Sequence, residues 1–314
     1  MDRLVIATRK SKLALWQSEH VQKVLEDAHN GLKVELAQML TKGDKILDTP
    51  LAKIGGKGLF TKELEESMLR GESHLAVHSL KDVPMEFPQG LKLAVITKRE
   101  DVRDAMLSQK YASLDELPKG AVVGTTSLRR RMQLLEMRPD LVIKNLRGNV
   151  NTRIRKLKDG EYDAIILASA GIKRLGLQDE VKFFTPIDTD IMTPASGQAA
   201  LAIEIVNNPE VEKLVSVLND DEAIIETTIE RDFVRVLEGG CQVPIGINAK
   251  VNGDDISISC LIGLPDGTQI LREKIKIKKE NREDIGKKLA QKMIDQGAKE
   301  LLEKAEYMAL NEIL

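Results

Sequence analysis

Little in this sequence is made for stacking or cross-linking. Aromatic residues are 3% of its 314 residues, as five Phe, three Tyr and one Trp, too few to build the stacking platforms of a single-strand nucleic-acid binder. The net charge of −2 gives no global pull on a polyanion. A nucleic-acid partner fails on both counts, and any anion site must come from local clustering of Arg and Lys. Two cysteines cannot form a disulfide framework and fit a reducing cytoplasm. No apolar run approaches a membrane span, and residues 1–9 are too briefly apolar and too soon charged to read as a secretory signal. Internal repeats and low-complexity tracts are missing. No long coiled coil or bare apolar patch calls for a partner chain, so a monomer is expected.

What remains is an ordinary globular composition, 42% hydrophobic and 31% charged, long enough for two or three domains with buried cores. Short apolar runs at 3–8, 32–40, 75–80 and 91–97 read as strands, with helices over 11–28, capped by Ser11, and over 61–69, closed by Gly71. A charged stretch without period at 98–104 reads as a domain crossing. A second run follows: strands at 121–123, 141–146 and 162–168, with helices over 127–138 and 150–158. Residues 186–197 read as a loop that carries the chain back, so that 201–206 completes the first sheet. Alternation of strands with helical crossovers predicts mainly parallel sheets. From about residue 220 the pattern changes. A helix with Ile225, Ile229, Val236 and Leu237 on one face leads to three strands at 245–251, 256–262 and 269–277. Asn252-Gly253-Asp254 and Pro265-Asp266-Gly267 are the turns between them, and one amphipathic helix spans 282–305. The domains expected are 1–98 with 198–217, 99–197, and 218–314.

Basic residues gather where strands end. Ser127-Leu128-Arg129-Arg130-Arg131 opens a helix after a Gly-Thr-Thr turn. The free N–H groups and dipole of that helix end already favour an anion, and Thr125, Thr126 and Ser127 add hydroxyl donors. Arg129 and Arg130 cannot share a helix face, so they are expected to grip different acidic groups. The competing reading is a solvated basic helix start. Arg147 and Arg153 flank the next helix start, Lys173-Arg174 follows the strand at 162–168, Arg9 and Ser11 follow the first strand, and Lys81-Asp82 follow the strand ending at Leu80. Ligands collect at such C-terminal strand ends. Together these residues point to a polyanion, best a polycarboxylate, in a cleft between two domains. Asp82 is the exception within that cationic edge. It is either a salt-bridge partner for a neighbouring cation or a counter-ion and proton carrier for a positive intermediate.

Glu238-Gly239-Gly240-Cys241-Gln242-Val243-Pro244 places one thiol on a glycine-rich loop between a helix and a strand. The default for a lone cysteine is a buried small side chain; the alternative is a thiol presented for covalent chemistry. Cys260, inside a strand, keeps the default. Gly55-Gly56-Lys57-Gly58 lacks the spacing of a phosphate-binding loop. His74 and His78 have no acidic or cysteine neighbour in sequence to make a metal site, and no metal is expected.

Several stretches in order resemble the porphobilinogen deaminase family, also called hydroxymethylbilane synthases. They are Ile6-Ala7-Thr8-Arg9, Gly55-Gly56-Lys57-Gly58-Leu59-Phe60, Ala76-Val77-His78-Ser79-Leu80-Lys81-Asp82-Val83-Pro84, Ser127-Leu128-Arg129-Arg130, Leu146-Arg147-Gly148-Asn149 and the Cys241 loop. The resemblance runs nearly end to end. It implies two α/β domains like a type II periplasmic-binding-protein pair plus a C-terminal α+β domain. It also implies one dipyrromethane cofactor per chain, thioether-linked to Cys241. Four porphobilinogen molecules would be joined head to tail onto that primer with release of ammonia, and the linear tetrapyrrole would then be hydrolysed off. By resemblance Asp82 steadies the azafulvenium cation left when ammonia departs and handles protons. Arg9, Ser11, Lys81, Thr125, Thr126, Ser127, Arg129, Arg130, Arg147, Arg153 and Arg174 would hold cofactor and substrate, and Lys57 and Phe60 would belong to a mobile active-site loop. Ala199 departs from the expected Gly-Gln-Gly run, and Arg131 is a third arginine beyond the pair. A cytoplasmic anion-binding module of the periplasmic-binding-protein type is the alternative. It would have no use for the third domain or its thiol.

Overall fold

The structure, a computed structural model, describes residues 1–41, 43, 61–238 and 243–311. The predicted loop residues Lys57 and Phe60, and Cys241 itself, lie outside the described residues. In chain order the elements are β1 (Arg3–Arg9), α1 (Lys12–Ala28), β2 (Lys33–Met39), α2 (Lys62–Leu69), β3 (Leu75–Ser79), β4 (Leu91–Ile96) and β5 (Asp104–Ser108). Then come β6 (Val122–Gly124), α3 (Leu128–Met137), β7 (Val142–Lys144), α4 (Val150–Lys158), β8 (Ala164–Ala168), α5 (Ser169–Arg174) and β9 (Phe183–Pro186). The chain continues through β10 (Leu201–Val206), α6 (Pro209–Val215), α7 (Asp221–Val236), β11 (Ile245–Asn252), β12 (Asp255–Gly263), β13 (Ile270–Lys278), α8 (Ile285–Asp295) and α9 (Ala298–Asn311).

These elements form two compact units. The first takes the described part of residues 1–100 together with 199–224. Its sheet has the order β2-β1-β3-β10-β4. Residues Leu4 to Thr8 of β1 are all buried, the continuous apolar run of a strand covered on both faces. Ser11 accepts a hydrogen bond from the Ala14 amide at 3.3 Å and so starts α1. That helix buries Val21 and Leu25 against Leu4, Ile6 and Val34. As expected, residues 201–206 complete this sheet, but β10 runs antiparallel to both β3 and β4. The sheet is therefore mixed, not mainly parallel. Strand direction has no signature in apolar patterning, and only the entry side of the returning chain sets it.

The second unit takes 101–198 and 225–311 among the described residues. Its α/β sheet has the order β7-β6-β8-β5-β9, with β5 antiparallel to β8 and β9. No strand is expected from sequence at either β5 or β9; only residue 104 falls in the charged crossing and only residue 186 in the loop. All five β5 residues are buried, yet the strand opens on a charged residue straight after a charged stretch, which masks it. A three-stranded antiparallel meander, β11-β12-β13, lies in the same unit. The turns expected at Gly253 and Gly267 are there, with φ of 63° and 76°. Exposed Arg272, Lys274, Lys276 and Lys278 line β13, an edge strand kept from further pairing by its charges. The single helix expected over 282–305 is two helices. Gly297, at φ 95°, takes the left-handed conformation that ends α8 and lets α9 start in a new direction.

Glu230 of α7 ties three segments of this unit. One carboxylate oxygen accepts from the Gly197 amide at 2.7 Å, the other from the Ala249 amide at 2.9 Å, and all three residues are buried.

Candidate active site

In the first unit, β1 and β3 run parallel as neighbours, so their C-terminal ends share one edge. β1 ends at Arg9, and the turn after it presents Ser11 at the N-terminus of α1. β3 ends at Ser79 and leads into a short 3-10 turn that carries Lys81 and Asp82. Arg9, Ser11, Gln17, His78, Ser79 and Asp82 all line one cavity of about 100 Å³. Gln17 is buried within α1 and donates to the Ser79 hydroxyl at 2.9 Å, which fixes the floor. Asp82 is exposed, Arg9 and Lys81 are half-buried. A cation, a helix N-terminus and a carboxylate thus meet in one pocket. That set can grip an anionic substituent and offer a proton carrier beside it.

His78, for which the sequence offers no acidic neighbour, has one in the fold. It is buried, and its Nε2 lies 2.9 Å from Glu204 of β10. The register puts His78 opposite Ala202, so Glu204 is its diagonal neighbour on the same sheet face. Glu65 of α2 is buried on this side too, and burial pushes its carboxyl above the usual range. A partner 126 residues away leaves no trace in the local sequence.

In the second unit, β6, β7 and β8 are parallel. Thr125, Thr126 and Ser127 follow β6, Arg147 follows β7, and Arg174 ends the helix after β8. Ser127 caps α3, accepting from the Arg130 amide at 3.5 Å. Arg153, in the first turn of α4, donates from Nε to the Gly148 carbonyl at 2.8 Å. Gly148 itself has φ 114°, and a Cβ there would fall 2.8 Å from the Thr152 side chain, so the Arg147-Gly148-Asn149 turn needs glycine. Burial lowers the pKa of the Arg147 guanidinium, which half-hides among its neighbours.

Arg129 and Arg130 do not behave as the sequence reading expected. Both are buried, at 4% and 7% exposure, and they converge on one acidic group, not two. That group is Asp104, the first residue of β5. Arg130 donates to its Oδ1 from Nε at 3.1 Å and Nη2 at 2.6 Å, and Arg129 Nη1 lies 2.7 Å from its Oδ2. Successive residues do point 100° apart on a helix, but long side chains folded back toward the N-terminus can meet at a carboxylate in front of it. Because β5 runs against β8, its first residue pairs with Ala168, the last residue of β8. The reversal of one strand thus carries Asp104 to the edge where the cations sit. Arg131 is half-buried, with Nη1 3.4 Å from the Ile143 carbonyl.

Residues 4–213 match the family model described as porphobilinogen deaminase, dipyromethane cofactor binding domain, and 224–295 match its C-terminal domain. The porphobilinogen deaminase of Campylobacter curvus is 62% identical over 309 residues, covering 98% of this chain and 99% of that protein. That of Aliarcobacter butzleri is 61% identical over 310 residues, covering 98% and 99%. The chain belongs to the porphobilinogen deaminase family. Its backbone is also similar to the crystal structure of the methionine-binding protein MetQ, at 18% identity and a TM-score of 0.44, over 71% of this chain and 92% of that one.

Each unit, taken by itself, offers a place that would suit a carboxylate-bearing cofactor. The first-unit pocket offers Arg9 and the capped start of α1. In the second unit two buried guanidiniums face one carboxylate, which leaves positive charge in excess. Among the described residues no cluster of His, Cys, Asp or Glu could hold a metal. Cys260 is buried in β12 with its sulfur 3.6 Å from that of Met293, and burial pushes its thiol up to about 12, which makes it unreactive.

Proposed function

We propose that this chain is a porphobilinogen deaminase that joins four porphobilinogen molecules head to tail into a linear tetrapyrrole, releasing ammonia at each addition. Family membership over nearly the whole chain supports this, and one observation of geometry carries it. Asp82 and Arg9, residues 73 apart in sequence, line the same cavity at the shared end of β1 and β3. The dipyrromethane primer, held through Cys241, supplies the pyrrole carbon to which the first substrate is joined.

The chain's own residues then do the rest. Arg9, Ser11 and Lys81 in one unit, and Thr125, Thr126, Ser127, Arg129, Arg147, Arg153 and Arg174 in the other, bind and orient carboxylates, with Arg130 backing Arg129; planar guanidinium forks suit that task. Lys57 and Phe60 also contribute to substrate binding. At each addition the C–N bond of the substrate's aminomethyl group breaks, with its electron pair leaving on nitrogen. The protonated amine departs as ammonia; a C–C bond then forms at the cationic carbon, and the proton displaced from the attacking pyrrole carbon passes to Asp82, which gives it up to the released ammonia. Between those events the Asp82 carboxylate faces the cationic carbon. The reading includes a division into three domains, at 1–98 with 198–217, 99–197, and 218–314. It also includes a monomeric protein of the cytoplasm, which the low cysteine content supports. Among the described residues no helix is long and apolar enough to cross a membrane.

An intact-mass spectrum tests this directly. The purified protein is expected to exceed its sequence mass by one dipyrromethane, Cys241→Ser to lack that increment, and only the loaded protein to turn porphobilinogen into tetrapyrrole and ammonia. Loaded protein that releases no ammonia from porphobilinogen would refute the assignment and favour an anion-binding module.

A further inference from the structure

Asp104 belongs to no motif of the sequence, yet three side chains of the second unit converge on it. It is fully buried. Besides both arginines, its Oδ1 accepts from the Gln198 amide nitrogen at 3.0 Å. Burial alone would raise its pKa, but the charges of Arg129 and Arg130 more than offset that and hold it well below the usual carboxylate range. Arg130 and Gln198 donate to this carboxylate and Arg129 pairs with it as an ion at the C-terminal edge of the parallel strands.

The two arginines are not used alike. Arg130 donates from Nε and Nη2 to Asp104 and from Nη1 to the Ile166 carbonyl at 3.0 Å. Arg129 is held through Nη1 alone, between Asp104 and the Thr193 carbonyl at 2.7 Å. Thr193 is in turn fixed by Gln133, which accepts from its amide at 2.8 Å. Among the described residues, Nε and Nη2 of Arg129 make no hydrogen bond. Two guanidiniums against one carboxylate leave one unit of positive charge in excess in a buried setting. That excess is costly unless a further anion answers it. The open donors of Arg129 show where the anion would be met.

We infer that Asp104 is a positioning residue for the reaction: with Arg130 as its balancing charge, it holds Arg129 so that Nε and Nη2 meet a carboxylate of the primer or the growing chain. Arg130 is then internal to the clamp, and Arg129 is the arginine that faces the ligand. This rests on the reading that the arginine pair serves a carboxylate-bearing ligand. Because the contact is made alike before and during the chemical step, its loss moves KM and primer retention more than kcat.

The experiment uses the full-length protein. Asp104→Asn alone would leave two buried cations unanswered and endanger folding. The test variants are therefore the double change Asp104→Asn with Arg130→Gln, which keeps the net charge of the cluster, and Asp104→Glu, which keeps the carboxylate but shifts it by one methylene. Intact mass reads the primer-bearing fraction, steady-state kinetics with porphobilinogen separate KM from kcat, and circular dichroism checks the fold. The double variant is expected to show KM raised tenfold or more, or primer-bearing chains reduced tenfold or more, with kcat of the loaded fraction within threefold of wild type. Asp104→Glu is expected to raise KM severalfold. Wild-type KM and full priming in either folded variant would overturn the inference. Wild-type protein with neither primer nor product would instead overturn the functional reading beneath it.

Discussion

Replacing Glu230 by Gln is a severe test of the packing logic, because it changes charge and one atom and almost no volume. Each carboxylate oxygen of Glu230 accepts from one buried backbone amide, Gly197 at 2.7 Å and Ala249 at 2.9 Å. An amide side chain has one acceptor oxygen. Whichever way Gln lies, its NH₂ must face a backbone N–H, donor against donor. One buried N–H is then unsatisfied, at a cost of about 1–3 kcal/mol, and the surviving bond loses its charge assistance, about 1 kcal/mol more. The expected total is about 3 kcal/mol. At roughly 2–4 °C per kcal/mol for a unit of this size, the melting temperature should fall by about 6–12 °C. Thermal unfolding followed by far-ultraviolet circular dichroism reads this, with Glu222→Gln on the exposed face of the same helix as a control expected to stay within about 0.5 kcal/mol. A drop no larger than the control's would refute the claim that this carboxylate joins α7, the crossing segment and β11.

Ala199 has φ 75° where a side chain is disfavoured, by about 1–2 kcal/mol, whereas glycine there costs about 0.5–1 kcal/mol of chain entropy. Ala199→Gly should raise the melting temperature slightly, and a decrease would show that the methyl group's packing outweighs the backbone. Gly286 is the reverse case. A Cβ there would fall 2.2 Å from the Ile229 carbonyl oxygen, so Gly286→Ala should push α8 from α7 and cost about 1–3 kcal/mol, read by urea unfolding; a neutral result would mean that the two backbones do not approach so closely. Asp104 predicts an acid limb. Its folded pKa is depressed, so below about pH 4 the unfolded chain takes up its proton first. Stability is full above that pH and declines as pH falls further. Urea midpoints at pH 5, 4 and 3 should show this, and the Asp104→Asn, Arg130→Gln variant should lose part of the slope; identical slopes would exclude the buried carboxylate as the source.

Sequence patterning reached some elements almost residue for residue and was blind to others, for physical reasons. The three meander strands stand between clear turn signals, and β10 is apolar but for Glu204. β5 hides because its buried charge looks, in one dimension, like the end of the charged crossing. What reveals it is an arginine pair 25 and 26 residues on, folded against it. Arg9, Ser11 and Asp82 were legible as a group because parallel strands send their ends to one edge. The inequality of Arg129 and Arg130 was not, since it depends on which nitrogens the tertiary structure has already engaged.

The place of β10 has a consequence for synthesis. It lies inside the first sheet, flanked by β3 and β4, yet it follows β5 through β9 in the chain and so emerges after them. Until then β3 and β4 have no strand to join them, and each shows a raw hydrogen-bonding edge. The later sheet, β7-β6-β8-β5-β9, draws on one uninterrupted stretch and can close first. A ribosome thus releases the second α/β sheet as a finished piece while the first still waits for its central strand, reversing the usual N-to-C order of domain maturation. Nascent chains stalled with β9 outside the ribosome and Leu201 still within it would leave the edges of β3 and β4 open, and there a holding chaperone would have most to protect.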